Sequence, residues 1–187
     1  MTEPQPAESP GPLVLRAATA ADGAAVWRLV GDAGVLDVNS SYMYLLMCDR
    51  FGDTCVVAEI DGRVAGFVVG FVPPRAPDVV FVWQIGVAPS ARGCGLGRAL
   101  LQHLVDAPAC RAVRFMETTV TPSNAASEAM FRSFARRTGA PLEPVSARGY
   151  PTELFPDGKE AEVLFRIGPL SAAPATTPAT TTERTTR

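Results

Sequence analysis

The sequence is short of lysine and of histidine. Of its 17 lysine and arginine residues only Lys159 is a lysine, and His103 is its one histidine. One histidine and four cysteines without a C-x-x-C pair give no cluster with metal-ligand spacing, so we expect no metal site. Because the other 16 of the lysine and arginine residues are all arginine, we expect Lys159 to be more than ordinary surface charge.

Long apolar runs and a leader are also missing. No apolar run reaches the roughly 18 residues that cross a bilayer, and the first residues do not have the pattern of a signal peptide. A formal net charge of −2 argues against a nucleic-acid-binding protein. We therefore expect a cytoplasmic protein with reduced thiols and no membrane or nucleic-acid partner.

What the chain does have is enough apolar sequence for one domain. It is 187 residues long and 47% hydrophobic, which suits a single sizeable core. Both ends are rich in Pro, Ala and Thr, so residues 1–12 and 171–187 are predicted to be disordered. The folded domain is predicted to span residues 13–170.

The hydrophobic pattern between these ends alternates between strand and helix. It predicts a strand at 13–19, then a helix capped by Thr19 or Asp22 that carries Ala25, Val26, Leu29 and Val30 at helical spacing. A second helix is predicted over 40–51, followed by strands at 54–60 and 63–72 joined by Asp61-Gly62, a pair typical of a type I′ hairpin. A continuous apolar strand, "VVFVWQIGV", follows and should be central. A helix, a strand, a helix and a last strand, "EVLFRIG", complete an α/β domain with a mixed central sheet flanked by helices.

A glycine-rich loop, "SARGCGLG", leads directly into the third helix. Backbone N–H groups of such a loop, with those of the helix N-terminus, form a site for phosphate or another anion. The loop has no Gly-Lys-Ser/Thr and is therefore not a P-loop; its G-x-G-x-G spacing and late position also exclude the dinucleotide fingerprint. The pattern R-x-x-G-x-G, filled by Arg92, Gly95 and Gly97, remains.

Together with "WQIGV" before it and "TPSNAASEAMF" after it, this loop resembles the coenzyme A site of the GCN5-related N-acetyltransferases. The blocks "LDVNSSYMYLLMCDRF", "FVWQIGV" and "AEVLFRIGPL" are similar to a subfamily that acetylates the γ-amine of L-2,4-diaminobutyrate for ectoine biosynthesis. The resemblance covers about residues 14–170. It implies the GCN5-related N-acetyltransferase fold, acetyl-CoA as cosubstrate, a diamino acid as partner, a role in osmotic-stress protection and a homodimer.

The resemblance also implies how acetyl-CoA would be bound. The pyrophosphate would contact the loop, and the pantetheine arm would pair with Ile85 and Val87 as an added strand, with one N–H as oxyanion donor. Asn124 would hydrogen-bond the pantetheine. The loop residues with this implied role are Arg92, Gly93, Gly95, Gly97 and Arg98.

The amine side is implied in the same way, with alternatives open. Glu117 is the first choice for the proton acceptor, although a glutamate there could also be solvated or capping. Asp37 would pair with a substrate ammonium, although "DVNSS" is also ordinary helix capping. Ser41, Tyr42 and Trp83 would wall the pocket, and Trp83 could equally be core.

Two departures from the family pattern affect the remaining roles. Phe131 occupies the place where many relatives carry a tyrosine that protonates the leaving thiolate. The donor is therefore either absent or supplied elsewhere, with Tyr42 as the candidate. Lys159 stands where related sequences often carry a histidine and would contact the substrate carboxylate, or else lie on a surface loop. Two rival functions stay open: an acetyltransferase for another small amine, and a catalytically silent acetyl-CoA-binding module.

Overall fold

The computed structural model describes residues 11–34, 36 and 38–170. The segments predicted to be disordered lie outside the described residues, apart from Gly11 and Pro12, so the domain boundaries stay a prediction. Within the described part the strands and α-helices are β1 (Val14–Ala17), α1 (Gly23–Ala33), α2 (Ser41–Arg50), β2 (Cys55–Ile60), β3 (Arg63–Phe71), β4 (Val79–Val87), α3 (Leu96–Asp106), β5 (Phe115–Val120), α4 (Ala125–Thr138), β6 (Leu142–Pro144) and β7 (Val163–Ile167).

The strands form one mixed sheet in the order β1-β2-β3-β4-β5-β7-β6. Neighbours are antiparallel except β4 and β5, which run parallel. The sequence pattern predicted every one of these strands except β6. That strand has only three residues and ends in Pro144, so it carries no apolar alternation from which a strand could be read.

Helices cover both faces of the sheet. On one face α3 and α4 pack a cluster that includes Leu100, Leu101 and Phe134 against the sheet, and on the other α1 and α2 contribute Val26 and Tyr44. Successive β2 residues belong to different clusters, because side chains alternate across a strand. The predicted mixed sheet flanked by helices is confirmed.

Local signals of helix ends and turns are reproduced in the structure. The Ser40 hydroxyl accepts the Met43 N–H at 3.3 Å and begins α2, and the Asn124 side chain accepts the Ser127 N–H at 3.1 Å and begins α4. Asp61 and Gly62 have φ values of 53° and 68°, as both central residues of a type I′ turn require. The β2–β3 hairpin is therefore confirmed.

A cluster of charged side chains connects β1, the segment before α1 and β2. Both oxygens of Asp22 accept from the Arg16 guanidinium, at 2.7 and 2.8 Å, and Arg16 also contacts Glu59 of β2 at 2.5 Å. The hydrogen bonds from Arg16, with those from Thr19, lower the pKa of Asp22 to about 2. The carboxylate form is thus favoured in the folded protein.

Because the pKa of Asp22 is lowered, the free energy of unfolding depends on pH in the acidic range. The contribution of Asp22 is complete above its ordinary pKa of 3.8 and is lost as pH falls towards 2, because the unfolded chain takes up the proton first. We expect the urea midpoint of the wild type to fall across this window and that of Asp22→Asn to fall less steeply. Asp32→Asn, at an exposed position on α1, serves as the control and should retain the wild-type slope.

Candidate active site

The sheet opens between β4 and β5. Their parallel pairing runs only from Val79–Val82 on β4 and Phe115–Thr118 on β5, and beyond it the two strands separate. A cavity of about 790 Å³ lies at this separation. Its walls come from β4, β5, the start of α4, the α1–α2 connection and the segment between β6 and β7.

One wall of the cavity is the unpaired edge of β4. The Ala88 N–H donates to the Ala65 carbonyl of the strand on the other side at 2.8 Å. Because backbone groups alternate in direction along a strand, the N–H groups of Val87 and Ile85 point towards the β5 side. Ile85 lines the cavity. The strand thus directs backbone donors towards this side, and the pairing of Ile85 and Val87 with an extended ligand stays a prediction.

The glycine-rich loop follows β4 and leads into α3. Gly93 and Gly95 have φ values of 81° and 84°, a conformation that glycine adopts without strain. The Arg92 guanidinium donates to the carbonyls of Val87 at 3.2 Å and Ala33 at 3.1 Å. Arg92 therefore braces the loop against β4 and α1.

Two more predicted cofactor residues lie beside the α3 N-terminus. In the first turn of α3, Arg98 donates to Ser133 of α4 at 3.3 Å. Gly97 packs closely against α4, since a Cβ there would lie 2.7 Å from the Met130 Sδ. None of these loop residues belongs to the described lining of the cavity, so their role in binding an anion stays a prediction.

Asn124 has two positions of interest, because it caps a helix and also lines the cavity. Its side-chain oxygen caps α4, and the residue lines the cavity beside β5. Phe131, one of the two departures from the family pattern, lines the same cavity and is buried. A hydroxyl is therefore missing at this point of the wall, and a thiolate proton donor would have to come from another residue.

Aromatic residues form the part of the cavity near α2. Trp83 of β4 lines the cavity, and its ring centroid lies 5.7 Å from that of the buried Tyr44. The Tyr44 hydroxyl donates to the Gln84 side chain at 2.8 Å, and Gln84 also lines the cavity. The role predicted for Trp83 as a pocket wall agrees with this position.

Ser41 and Tyr42, at the start of α2, stand apart from that wall. Tyr42 is 68% exposed in the first turn of α2, and neither it nor Ser41 belongs to the described lining of the cavity. Asp37 lies outside the described residues. The substrate roles of all three stay predictions.

Glu117, the predicted proton acceptor, is buried on β5 with 3% exposure. Its Oε1 accepts from Arg166 of β7 at 2.6 Å and from Arg148 at 2.9 Å. It does not line the cavity, whereas the next residues, Thr118 and Thr119, do. Its catalytic role stays a prediction, and the visible role is to hold two guanidinium groups.

The segment between β6 and β7 brings further charge to the cavity. Lys159, Glu160 and Glu162 all line it. Glu160 accepts a hydrogen bond from the Ser123 hydroxyl at the start of α4. The Glu162 backbone is paired with Tyr150 in both directions, at 2.8 Å each, which positions that residue firmly.

Glu160 and Glu162 were not predicted as site residues. A signal was available, because "GKEAE" places charge immediately before the last strand, and β7 lies next to β5 in the sheet. Tyr150, Gln84 and Tyr44 were missed as well, and their positions follow only from the way the strands pack. In the described ranges we find no group of His, Cys, Asp and Glu that could hold a metal ion. No helix in them is long and apolar enough to cross a membrane.

A split parallel strand pair beside a glycine-rich anion loop defines a class of acyl-group transferases, and sequence comparison agrees. The sequence model of the acetyltransferase (GNAT) family matches residues 25–135. The chain belongs to this family.

Within the family the chain is similar to a narrower group. The L-2,4-diaminobutyric acid acetyltransferase of Nocardia farcinica is 48% identical over 178 residues, covering 90% of each chain. The enzyme of the same name from Halalkalibacterium halodurans is 50% identical over 153 residues, covering 81% of this chain and 79% of its own.

A solved structure from this group is also similar. The diaminobutyrate acetyltransferase EctA of Paenibacillus lautus, solved in complex with its substrate L-2,4-diaminobutyric acid and coenzyme A, superposes with a TM-score of 0.81 at 44% identity. The match covers 88% of this chain and 99% of the other. The GCN5-related fold expected from the sequence is confirmed.

Proposed function

We propose that this protein transfers the acetyl group of acetyl-CoA to the γ-amine of L-2,4-diaminobutyrate, giving Nγ-acetyl-L-2,4-diaminobutyrate. The observation that carries the substrate is the 44–50% identity to enzymes of that name over most of their length. The geometry supports the reaction class, because the cavity joins a backbone edge suited to a pantetheine arm with a charged wall suited to a diamino acid.

Acetyl-CoA is bound, in this proposal, along β4. Its pyrophosphate contacts the N–H groups of residues 93–97 and the α3 N-terminus. Its pantetheine pairs with Ile85 and Val87, and one of these N–H groups stabilises the thioester oxygen as charge develops on it. Asn124 provides a polar contact at the α4 end of the cavity.

The loop conformation gives a direct test of this binding mode. Gly95→Ala places a side chain at φ 84°, which costs about 1–2 kcal/mol, and its Cβ would lie 2.8 Å from the Arg98 guanidinium. We expect the Kd for acetyl-CoA, measured by calorimetry, to rise by about tenfold.

Gly62→Ala is the matched control, since φ is 68° there and no atom lies within 4 Å of the added Cβ. It should lower thermal stability and leave the Kd unchanged. Equal Kd values for both variants would contradict the assignment of the loop.

The acceptor amine has to lose a proton before it attacks. An amine of pKa near 10.4 is about three units above neutrality, so deprotonation costs roughly 4 kcal/mol. We assign this proton transfer to Glu162, whose backbone is anchored and which lines the cavity. Glu117 remains the alternative, and the effects of Glu162→Gln and Glu117→Gln on kcat separate the two.

The other polar groups would bind the substrate. Lys159 carries the positive charge for the carboxylate, Asp37 pairs with the second ammonium, and Ser41, Tyr42 and Trp83 complete the pocket. Tyr42 is also the proposed proton donor to the thiolate, which requires its side chain to turn from its exposed position.

Direct attack in a ternary complex is favoured over an acetyl-cysteine intermediate. Burial raises the pKa of Cys48 and Cys110 to about 11 and that of Cys55 to about 12. A thiol of that kind is not ionised at neutral pH and is a poor nucleophile. The remaining described cysteine, Cys94, lies in the glycine-rich loop.

Several finer features belong to the same proposal. We place the protein in the cytoplasm, in ectoine synthesis and hence in protection from osmotic stress. We also infer a homodimer, supported by apolar side chains that α1 and α2 leave exposed, including Trp27 and Leu45. Light scattering of the purified protein measures the oligomeric state.

The experiment that tests the function is release of coenzyme A from acetyl-CoA. L-2,4-diaminobutyrate is compared with ornithine, lysine, spermidine and no amine. We expect release with diaminobutyrate well above all others. Equal or greater release with another amine supports the rival acetyltransferase, and binding of acetyl-CoA without release supports the silent module.

A further inference from the structure

Lys159 places the only lysine side chain of the protein at the wall of the cavity. The side chain is 46% exposed, and its Nζ lies 3.9 Å from the carboxylate of Asp157, which is itself 58% exposed. An exposed ion pair of this kind contributes only about 0–1 kcal/mol. The contact to Asp157 therefore contributes little to the position of the ammonium group.

The backbone on either side keeps Lys159 close to the cofactor edge. Glu160, the next residue, accepts a hydrogen bond from Ser123, which directly precedes the cap of α4. Glu162 is paired with Tyr150 in both directions. The start of α4 borders the opening between β4 and β5. Lys159 is the residue before Glu160, whose side chain contacts this border, and its own side chain is a flexible four-carbon chain.

We propose that Lys159 is a self-acetylation site: its Nζ takes the acetyl group of acetyl-CoA bound in this cavity when no amine substrate occupies it. This rests on the proposed function, which places the thioester there. The cavity is built to deprotonate an aliphatic amine and present it to a thioester carbonyl, and a lysine side chain is chemically the same kind of amine as the γ-amine.

The step balances as an acyl transfer. The Lys159 ammonium loses one proton to a cavity carboxylate, and the neutral nitrogen attacks the thioester carbonyl carbon. The C–N bond forms, the C–S bond breaks, and coenzyme A leaves as a thiolate that takes the second proton lost from the nitrogen. The products are Nε-acetyl-Lys159, coenzyme A and one released proton.

Acetylation removes the positive charge of this wall. If Lys159 binds the substrate carboxylate, the modified enzyme has a KM for diaminobutyrate that is about tenfold higher, the loss expected for one charge-assisted hydrogen bond. Low diaminobutyrate with ample acetyl-CoA would then make the enzyme less responsive to its amine.

The experiment incubates the purified full chain with excess acetyl-CoA, with and without saturating diaminobutyrate, followed by trypsin digestion and mass spectrometry. Trypsin cuts after Arg148, Lys159 and Arg166, and acetyl-lysine resists cleavage. We expect residues 149–166 to appear as one acetylated peptide without diaminobutyrate, and as two shorter peptides when diaminobutyrate is present. The rate should saturate with acetyl-CoA and be independent of protein concentration.

Two comparisons make the result decisive. A synthetic peptide of residues 149–166 reports uncatalysed acetylation, and Gly95→Ala reports dependence on the cofactor site. Acetylation of the peptide as fast as the protein, or of the protein at equal rates with and without diaminobutyrate, overturns the proposal.

Release of coenzyme A with diaminobutyrate is measured on the same sample. Normal release with an unmodified Lys159 overturns self-acetylation alone. Acetylated Lys159 without diaminobutyrate-dependent release overturns the substrate assignment and supports self-acetylation.

Discussion

Replacing Glu162 with glutamine is expected to lower kcat by about 10²-fold or more, the usual contribution of a positioned general base. Glutamine keeps the size and hydrogen-bonding shape of the side chain but cannot accept a proton from the ammonium. The Kd for acetyl-CoA should not change, because the loop and the β4 edge are intact. Steady-state kinetics with diaminobutyrate and calorimetry with acetyl-CoA measure the two quantities.

Glu160→Gln is the matched control, since Glu160 lines the same cavity and bonds to Ser123. It should change kcat far less than Glu162→Gln. If instead Glu117→Gln lowers kcat by about 10²-fold while Glu162→Gln leaves kcat unchanged, the proton acceptor is Glu117, as the sequence first suggested.

Among the variants proposed for this protein, Glu117→Ala is expected to lower the free energy of unfolding most. Removing one partner of a buried ion pair costs about 3–5 kcal/mol, and the partial exposure of Arg148 and Arg166 reduces this to about 2–3 kcal/mol. Tm should fall by roughly 5–10 °C, as followed by circular dichroism. The KM for the amine should rise, because Arg148 anchors the segment that carries Glu162.

Glu153→Ala removes an exposed glutamate from the same segment and should leave Tm nearly unchanged. Arg148→Lys keeps the charge but loses the bidentate fork to Glu117, and should raise the KM for the amine less than Glu117→Ala does. A Tm of Glu117→Ala equal to that of Glu153→Ala would show that the buried pair contributes nothing. A fall in kcat with unchanged KM and Tm would point to catalysis by Glu117 itself.

The local structure around the glycine-rich loop was predictable from the sequence to a large extent. The glycine loop, the strand before it and the cap of the next helix are neighbours in the chain, and each follows a local rule. Gly93 and Gly95 adopt positive φ, Asn124 caps α4, and β4 is the middle strand. Only a few short connections separate these features in the chain, so local sequence patterns were sufficient to predict their conformation.

The amine side was less predictable. Glu117 and Arg148 are 31 residues apart in the chain, and Ser123 and Glu160 are 37 apart. Neither contact has a local signature. Glu117 lies on the strand next to β4, but the alternation of side chains along β5 turns it towards Arg148 and Arg166, and it does not belong to the described lining of the cavity.

The sequence by itself determined the strands, helices, hairpin and anion loop, because hydrophobic period, capping and positive φ act over a few residues. It also carried the family likeness. Only the tertiary structure decided which charged side chains line the cavity and which form ion pairs with one another. That depends on where β4 separates from β5 and how the segment before β7 folds back over the gap, and both result from packing between residues distant in the chain.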